Sequence, residues 1–214
     1  MSDYGLKVVR ADDLEFFKKS VELQKTVYCD ECCFEKREDI KSSNAFDDYD
    51  VSGQTRRALI LNLENISIGT VRLIVPGELE LPAISLKPEL KNVINGKRTA
   101  ECSAFCYSQT VTNKLSLSPT VRLKVVLVLI GALYALSKEE QVTHTVMIVQ
   151  NNLFRYLQHL GIKLNVVGKE IYYHGERKVC LVDIEKDVFR AIQKRSFLNW
   201  QMMYADSTVI SFWK

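Results

Sequence analysis

Phosphate-cradling glycine loops are missing from this 214-residue chain: neither GxxxxGK[ST] nor GxGxxG occurs, and there are only nine glycines and four prolines. Phosphoryl and hydride transfer from a nucleotide held on such a loop are therefore disfavoured. Histidine is scarce too, with three residues, His144, His159 and His174, none in a ligand-pair spacing. Cys29, Cys32 and Cys33 supply half of a metal-site pattern, but no second CxxC follows, so buried thiols are expected and no metal is assigned. The longest uncharged apolar run, Val125 to Leu136, is short of the roughly 20 residues that span a bilayer. It reads as a buried helix, and no stable membrane insertion is expected. The opening MSDYGLKVVRADD lacks a basic segment followed by an apolar one, so the expectation is a cytoplasmic chain with reduced cysteines. A net charge of +3, evenly spread, lacks the basic stripe with interleaved aromatics of a nucleic-acid binder. A weakly basic face for an acidic partner remains open.

Apolar residues make up 47% of the chain and charged residues 26%, enough to bury one substantial core, and no composition shift marks a boundary. Residues 1–214 are read as a single domain. Asp12 and Asp13 open an amphipathic helix with Leu14, Phe17, Val21 and Tyr28 near one face. Residues 29–52 lose periodicity and read as loop or short helical turns. Arg57 to Leu63 and Ile66 to Val75 form an expected hairpin, and Glu78 to Arg98 a loop with short helical content, a candidate substrate wall. Glu101 to Tyr107 is a strand candidate. A polar connection then leads to Ser118 and Pro119, an N-cap and N1 pair opening a helix through Leu136. Thr143 to Val149 reads as a buried strand and Asn151 to Leu160 as a helix stopped at Gly161. Ile171 to Tyr173 and Lys178 to Ile184 form a hairpin turned at Gly175, before a helical tail from Val188 to Met203. This order predicts an α/β (α+β) fold with one mixed sheet covered by helices on both faces.

Polar residues gather at the ends of strand-like runs: Asp47 and Asp50 in FDDYD, Arg72 in IGTVRLI, Glu101 and Ser103 in ECSAF. Singly, each is a loop cap, an ion-paired strand residue or an exposed strand position. Cys102 beside Glu101 has no nearby histidine to activate it and is not adopted as a nucleophile.

Taken in order, VYCDECCFE, FDDYD, IGTVRLI and ECS resemble the acyl-homoserine lactone synthases of the GNAT-like N-acyltransferase superfamily. The family's aromatic pair falls on Tyr28 and Phe34, its D-x-x-D on Asp47 and Asp50, its G-x-x-R-L on Gly69, Arg72 and Leu73, and its E-x-[ST]-R on Glu101 and Ser103. The resemblance covers about residues 20 to 150. Departures lie at Gln24 and Ala104, where the lactone synthases have arginine, and at Phe34, where they have tryptophan. Those positions help hold S-adenosylmethionine, so a different acceptor is implied. Within these relatives the chain is most similar to the long-chain N-acyl amino acid synthases of the N-acyltyrosine type.

The resemblance implies transfer of a long fatty acyl group from acyl carrier protein to the α-amine of an amino acid, tyrosine favoured. The runners-up are an S-adenosylmethionine-dependent lactone synthase and a non-catalytic acyl-binding or partner-binding module. Glu101 would be the base, with Ser103 and Arg72 beside it. Tyr28, Phe34, Asp47, Asp50, Ala104 and Phe105 would form the substrate site, and backbone N–H groups at a strand bulge would steady the oxyanion. No tightly bound cofactor is implied. The acyl group would arrive on the carrier's 4′-phosphopantetheine, with Lys114, Arg122 and Lys124 meeting an acidic carrier, because TNKLSLSPTVRLK lacks the glycine turn that usually binds coenzyme A pyrophosphate. Tyr156 is a candidate acid for the leaving thiol.

Overall fold

The protein was described from a computed structural model covering residues 5–34 and 47–193. A mixed sheet runs β1-β2-β3-β4-β5-β8-β6, and β7 pairs with β8. Its strands are β1 (Leu6–Arg10), β2 (Thr55–Asn62), β3 (Ser67–Ile74), β4 (Thr99–Tyr107), β5 (His144–Val149), β6 (Asn165–Val166), β7 (Ile171–Tyr172) and β8 (Glu176–Asp183). Among the described strands only β4 and β5 pair parallel, which requires a crossover, and α6 (Pro119–Glu139) supplies it.

Alternation along the strands sends side chains to two layers. On one face Leu59 and Leu61 pack against Leu23 of α1 (Leu14–Lys25). Further along that face Ile74, Val146, Val179 and Leu181 meet Ala83, Ile84 and Leu90 of α3 (Pro82–Leu86) and α4 (Leu90–Ile94). The other face carries Ala58, Ile60, Cys102, Met147 and Cys180 against Val125 and Leu129 of α6 and Leu157 of α7 (Asn151–His159). By length and hydropathy α6 passes as a membrane span, yet 67% of its most apolar window is buried inside the protein, so here it is the central core helix. The expected mixed sheet with helices on both faces is present.

Several local expectations need correction. Leu14 is 58% exposed, and the buried face of α1 is formed by Ser20, Val21 and Leu23, with the Ser20 hydroxyl 2.8 Å from that of Thr70. The helix does not reach Tyr28 as α: residues Thr26–Glu31 form a π-helical turn. The polar connection before α6 contains α5 (Gln109–Lys114), capped by Ser108. Strands β1 and β6 were not anticipated. The helical tail is described only to residue 193, after a π-helical turn over Ile184–Phe189, and the rest lies outside the described residues.

Candidate active site

The sheet face carrying α1 and α3 holds a buried polar cluster that includes Arg57, Arg72 and Glu101. Register places Arg57 of β2 opposite Arg72 of β3, and Arg72 opposite Ser103 of β4. Two guanidinium groups side by side need anions. Asp47 and Asp50 provide them from the capping box of the one-turn helix α2 (Asp48–Val51). Arg57 reaches Asp50 at 3.2 Å, with both side chains almost wholly buried, and donates to Gln24 Oε1 at 3.1 Å. Arg72 donates from Nε to Ser103 Oγ at 2.7 Å and from Nη1 to Asp47, with Asp50 at 3.7 Å. Burial alone would raise the Asp47 pKa, but the charge and hydrogen bond of Arg72 hold it below the usual carboxylate range. The Arg57 pKa is lowered by burial and by Arg72, with Asp50 opposing. Arg72 is thus held by Ser103, Asp47 and Asp50. Arg57 was missed from sequence, where TRRALILN reads as an ordinary strand start; the signal available was its place in alternation with Leu59.

Glu101 is buried in the same cluster, not exposed on a strand as its bland reading had it. It accepts from the Ala83 backbone N–H at 2.7 Å, in the first turn of α3. Burial pushes its pKa up to about 7, against the opposing pull of that hydrogen bond and of Arg72. A carboxyl poised there suits proton abstraction near neutral pH. Cys102 points the other way into the core, where burial drives its thiol far up and leaves no thiolate.

Beyond Glu101 the strand changes direction. β4 and β5 pair from Thr99 with His144 only as far as Cys102 with Met147, and then part. On the β3 side the ladder is irregular between Thr70 and Arg72, and Ala104 takes φ 49°. A positive φ is strained for alanine and marks a bulge. Beneath the parting, Phe105, Ile130, Leu133, Thr145, Met147 and Leu157 line a small apolar cavity of about 10 Å³, room for about one water molecule.

The aromatic pair is brought together by the π-helical turn. Tyr28 and Phe34 meet edge to face with centroids 6.0 Å apart. Glu31 fixes the turn by accepting from the Gln109 and Thr110 N–H groups at 2.8 and 3.1 Å and from the Ser108 hydroxyl. Phe34 also covers the guanidinium of Arg177 of β8 at 4.8 Å. Arg177 is a second residue that sequence reading missed.

Of the three basic residues near α6, Lys114 is exposed and Lys124 half-buried. Arg122 is engaged locally, donating to Leu117 O at 3.1 Å and Asn113 Oδ1 at 2.8 Å. At the start of α6 Pro119 has no N–H and the Val121 N–H is taken by Ser118 Oγ at 3.4 Å, so few amides face outward for a pyrophosphate. Tyr156 lies on the outer side of α7, 37% exposed, while its neighbour Leu157 is buried.

No known family profile matches the chain, and no curated protein matches it in sequence. Solved structures do share its fold. FeeM, an N-acyl amino acid synthase from uncultured soil microbes, is similar with TM-score 0.65 at 13% identity, over 99% of this chain and 100% of that one. The AHL synthase LasI gives TM-score 0.65 at 17% identity, over 91% and 96%. BjaI, a CoA-dependent acyl-homoserine lactone synthase solved with SAM and isopentyl-CoA, gives 0.63 at 15%, over 90% and 89%. At these identities the likeness establishes a common fold.

Proposed function

We propose that the chain is an N-acyltransferase that moves a long-chain fatty acyl group from a thioester to the α-amine of an amino acid, tyrosine foremost, with acyl carrier protein as donor. The observation that carries this reading is Glu101: a buried carboxyl titrating at about 7, on the strand whose bulge at Ala104 stands where β4 and β5 part. An acyl thioester laid into that parting would put its carbonyl near the bulge and direct its chain toward the apolar side chains around Phe105, Leu133 and Leu157, which must separate to admit it because the cavity among them holds only about 10 Å³.

The chemistry then balances. The amine nitrogen attacks the thioester carbon and forms the C–N bond, while Glu101 takes the amine proton directly or through water. Backbone N–H groups at the bulge steady the oxyanion, the C–S bond breaks, and the pantetheine thiolate leaves and takes a proton. Fold likeness to an N-acyl amino acid synthase supports the acceptor class, and the sparse amides at the α6 start support a carrier-borne donor. The S-adenosylmethionine alternative is disfavoured at two positions: Gln24 is spent on Arg57, and Ala104 sits where the lactone synthases have arginine.

The test is a reaction of purified protein with dodecanoyl carrier protein and each acceptor separately, products resolved by mass. N-dodecanoyl-tyrosine or another N-acyl amino acid is expected. Homoserine lactone formation alone would install the alternative, and binding without turnover would favour the non-catalytic module.

A further inference from the structure

Among the described residues three arginines are buried, and Arg57 and Arg72 each face an aspartate. Arg177, 7% exposed, faces none among the described residues. Its acceptors are neutral: His174 O at 2.7 Å from Nη2, Glu176 O at a long 3.4 Å from Nη1, and the Gln150 amide oxygen. With its amide oriented by the hydrogen-bond network, Gln150 accepts from both Nη atoms at 2.8 and 3.2 Å. Nε has no acceptor among the described residues, and the Phe34 ring shields the group at 4.8 Å. A guanidinium removed from water without a counter-ion is costly, and the cost is offset when an anion binds. The described residues around it hold its plane and set no carboxylate against its charge.

Its place in the sheet says which anion. Glu101 pairs with Val146 and Val146 with Leu181, so Leu181, Val179 and Arg177 follow in alternation on the Glu101 face. Two strands across and four residues along come to about 16 Å between Cα atoms in a flat sheet. A span of that order is bridged only if both side chains reach toward an amino acid bound between them. Arg177 also touches Phe34, whose partner Tyr28 completes the aromatic wall. We infer that Arg177 is the counter-ion of the acceptor's α-carboxylate, seating it against the Tyr28–Phe34 wall with the amine toward Glu101. The inference deepens the proposed reading and rests on it for the identity of the acceptor. Selection of amino acids over simple amines then resides in one side chain.

The experiment compares tyrosine with tyramine, which keeps the ring and amine but lacks the carboxylate, in wild type, Arg177→Gln and Arg177→Lys. Wild type is expected to favour tyrosine at least about 10-fold in kcat/KM, through KM. Arg177→Gln raises the KM for tyrosine about 10- to 100-fold and leaves tyramine within a few-fold, and Arg177→Lys recovers part of the loss. Equal use of the two acceptors by wild type, or an equal loss on both in Arg177→Gln, overturns the inference. Should Arg177→Gln not fold, the tyrosine-to-tyramine ratio of Arg177→Lys, expected to fall, decides instead. Repeating the series with an acyl N-acetylcysteamine donor, which has no phosphate, must give the same pattern; an effect seen only with phosphate-bearing donors would assign Arg177 to the donor and overturn the inference. If wild type acylates no amine, the proposed function fails, and calorimetry with N-dodecanoyl-tyrosine and N-dodecanoyl-tyramine isolates the site. Tighter binding of the carboxylate compound, abolished in Arg177→Gln, sustains the anion site, and equal or absent binding overturns it as well.

Discussion

The Glu101 carboxyl meets opposing influences, and burial wins: its pKa stands at about 7 despite the Ala83 N–H and Arg72. Turnover should therefore climb with pH through about 7 as the base ionises, and Glu101→Gln should lower it by about 10² or more above pH 7, with the deficit shrinking as pH falls below 7, while keeping the fold. The sign of the stability effect follows from the same shift. A carboxyl raised in the folded state is protonated in both states at low pH, and it stabilises least once it is ionised above about 7. Glu101→Gln is thus expected to match wild-type stability near pH 4 and to exceed it above pH 7, by at most about 3 kcal/mol. Denaturant melts at the two pH values check this; a variant less stable than wild type at high pH would contradict it. Asp50→Asn should do the reverse, costing about 3 to 5 kcal/mol because it strands the buried Arg57. At this scale much of the site was legible. Glu101, Ser103, Arg72, Asp47 and Asp50 were singled out by the family resemblance, and the structure joins Arg72 to Ser103, Asp47 and Asp50 on the sheet face that carries Glu101. Arg57 and Arg177 were not legible, because period-2 alternation reveals that residues share a face but not which face holds the chemistry.

Elements do their positioning through irregularities. The π-helical turn swings Tyr28 toward Phe34, the bulge at Ala104 stands where β4 parts from β5, and α3 aims the Ala83 N–H at Glu101. Gly69 permits close packing beside the bulge, since a Cβ there would lie 3.3 Å from the Cys106 carbonyl oxygen and 3.4 Å from Val125 Cγ1. Such features depend on tertiary contacts, so periodicity located α1 and β4 but not the turn or the bulge. β1 escaped notice because LKVVR is short and draws its stability from pairing with β2. On β5 the buried Thr145 hydroxyl has no hydrogen-bond partner among the described residues. Replacing it by the similarly shaped valine removes an unsatisfied group, so Thr145→Val should stabilise the fold by about 1 kcal/mol, raising Tm by about 2–4 °C. A lower Tm would show that the hydroxyl is satisfied after all.

For the molecule as a whole, the hairpin, the buried α6 and the late β7–β8 pair follow from patterning, turn residues and the Ser118–Pro119 cap. The splay of the sheet does not, because it arises where β4 and β5 cease to pair. Donor recognition belongs to this scale as well. If an acidic carrier docks beside Lys114 and Lys124, carrier protein should outperform acyl-coenzyme A, and its advantage should shrink with salt and with Lys114→Glu plus Lys124→Glu. Equal efficiency of the two donors at all ionic strengths would remove the carrier from the account. The most direct measurement of the central claim is mass spectrometry of lipids from bacteria expressing the wild-type chain or Glu101→Gln. Long-chain N-acyl amino acids, N-acyltyrosine foremost, should accumulate with wild type and fall to background with the variant at equal protein level. Acyl-homoserine lactone in their place, or the same N-acyl amino acids from both strains, would contradict it.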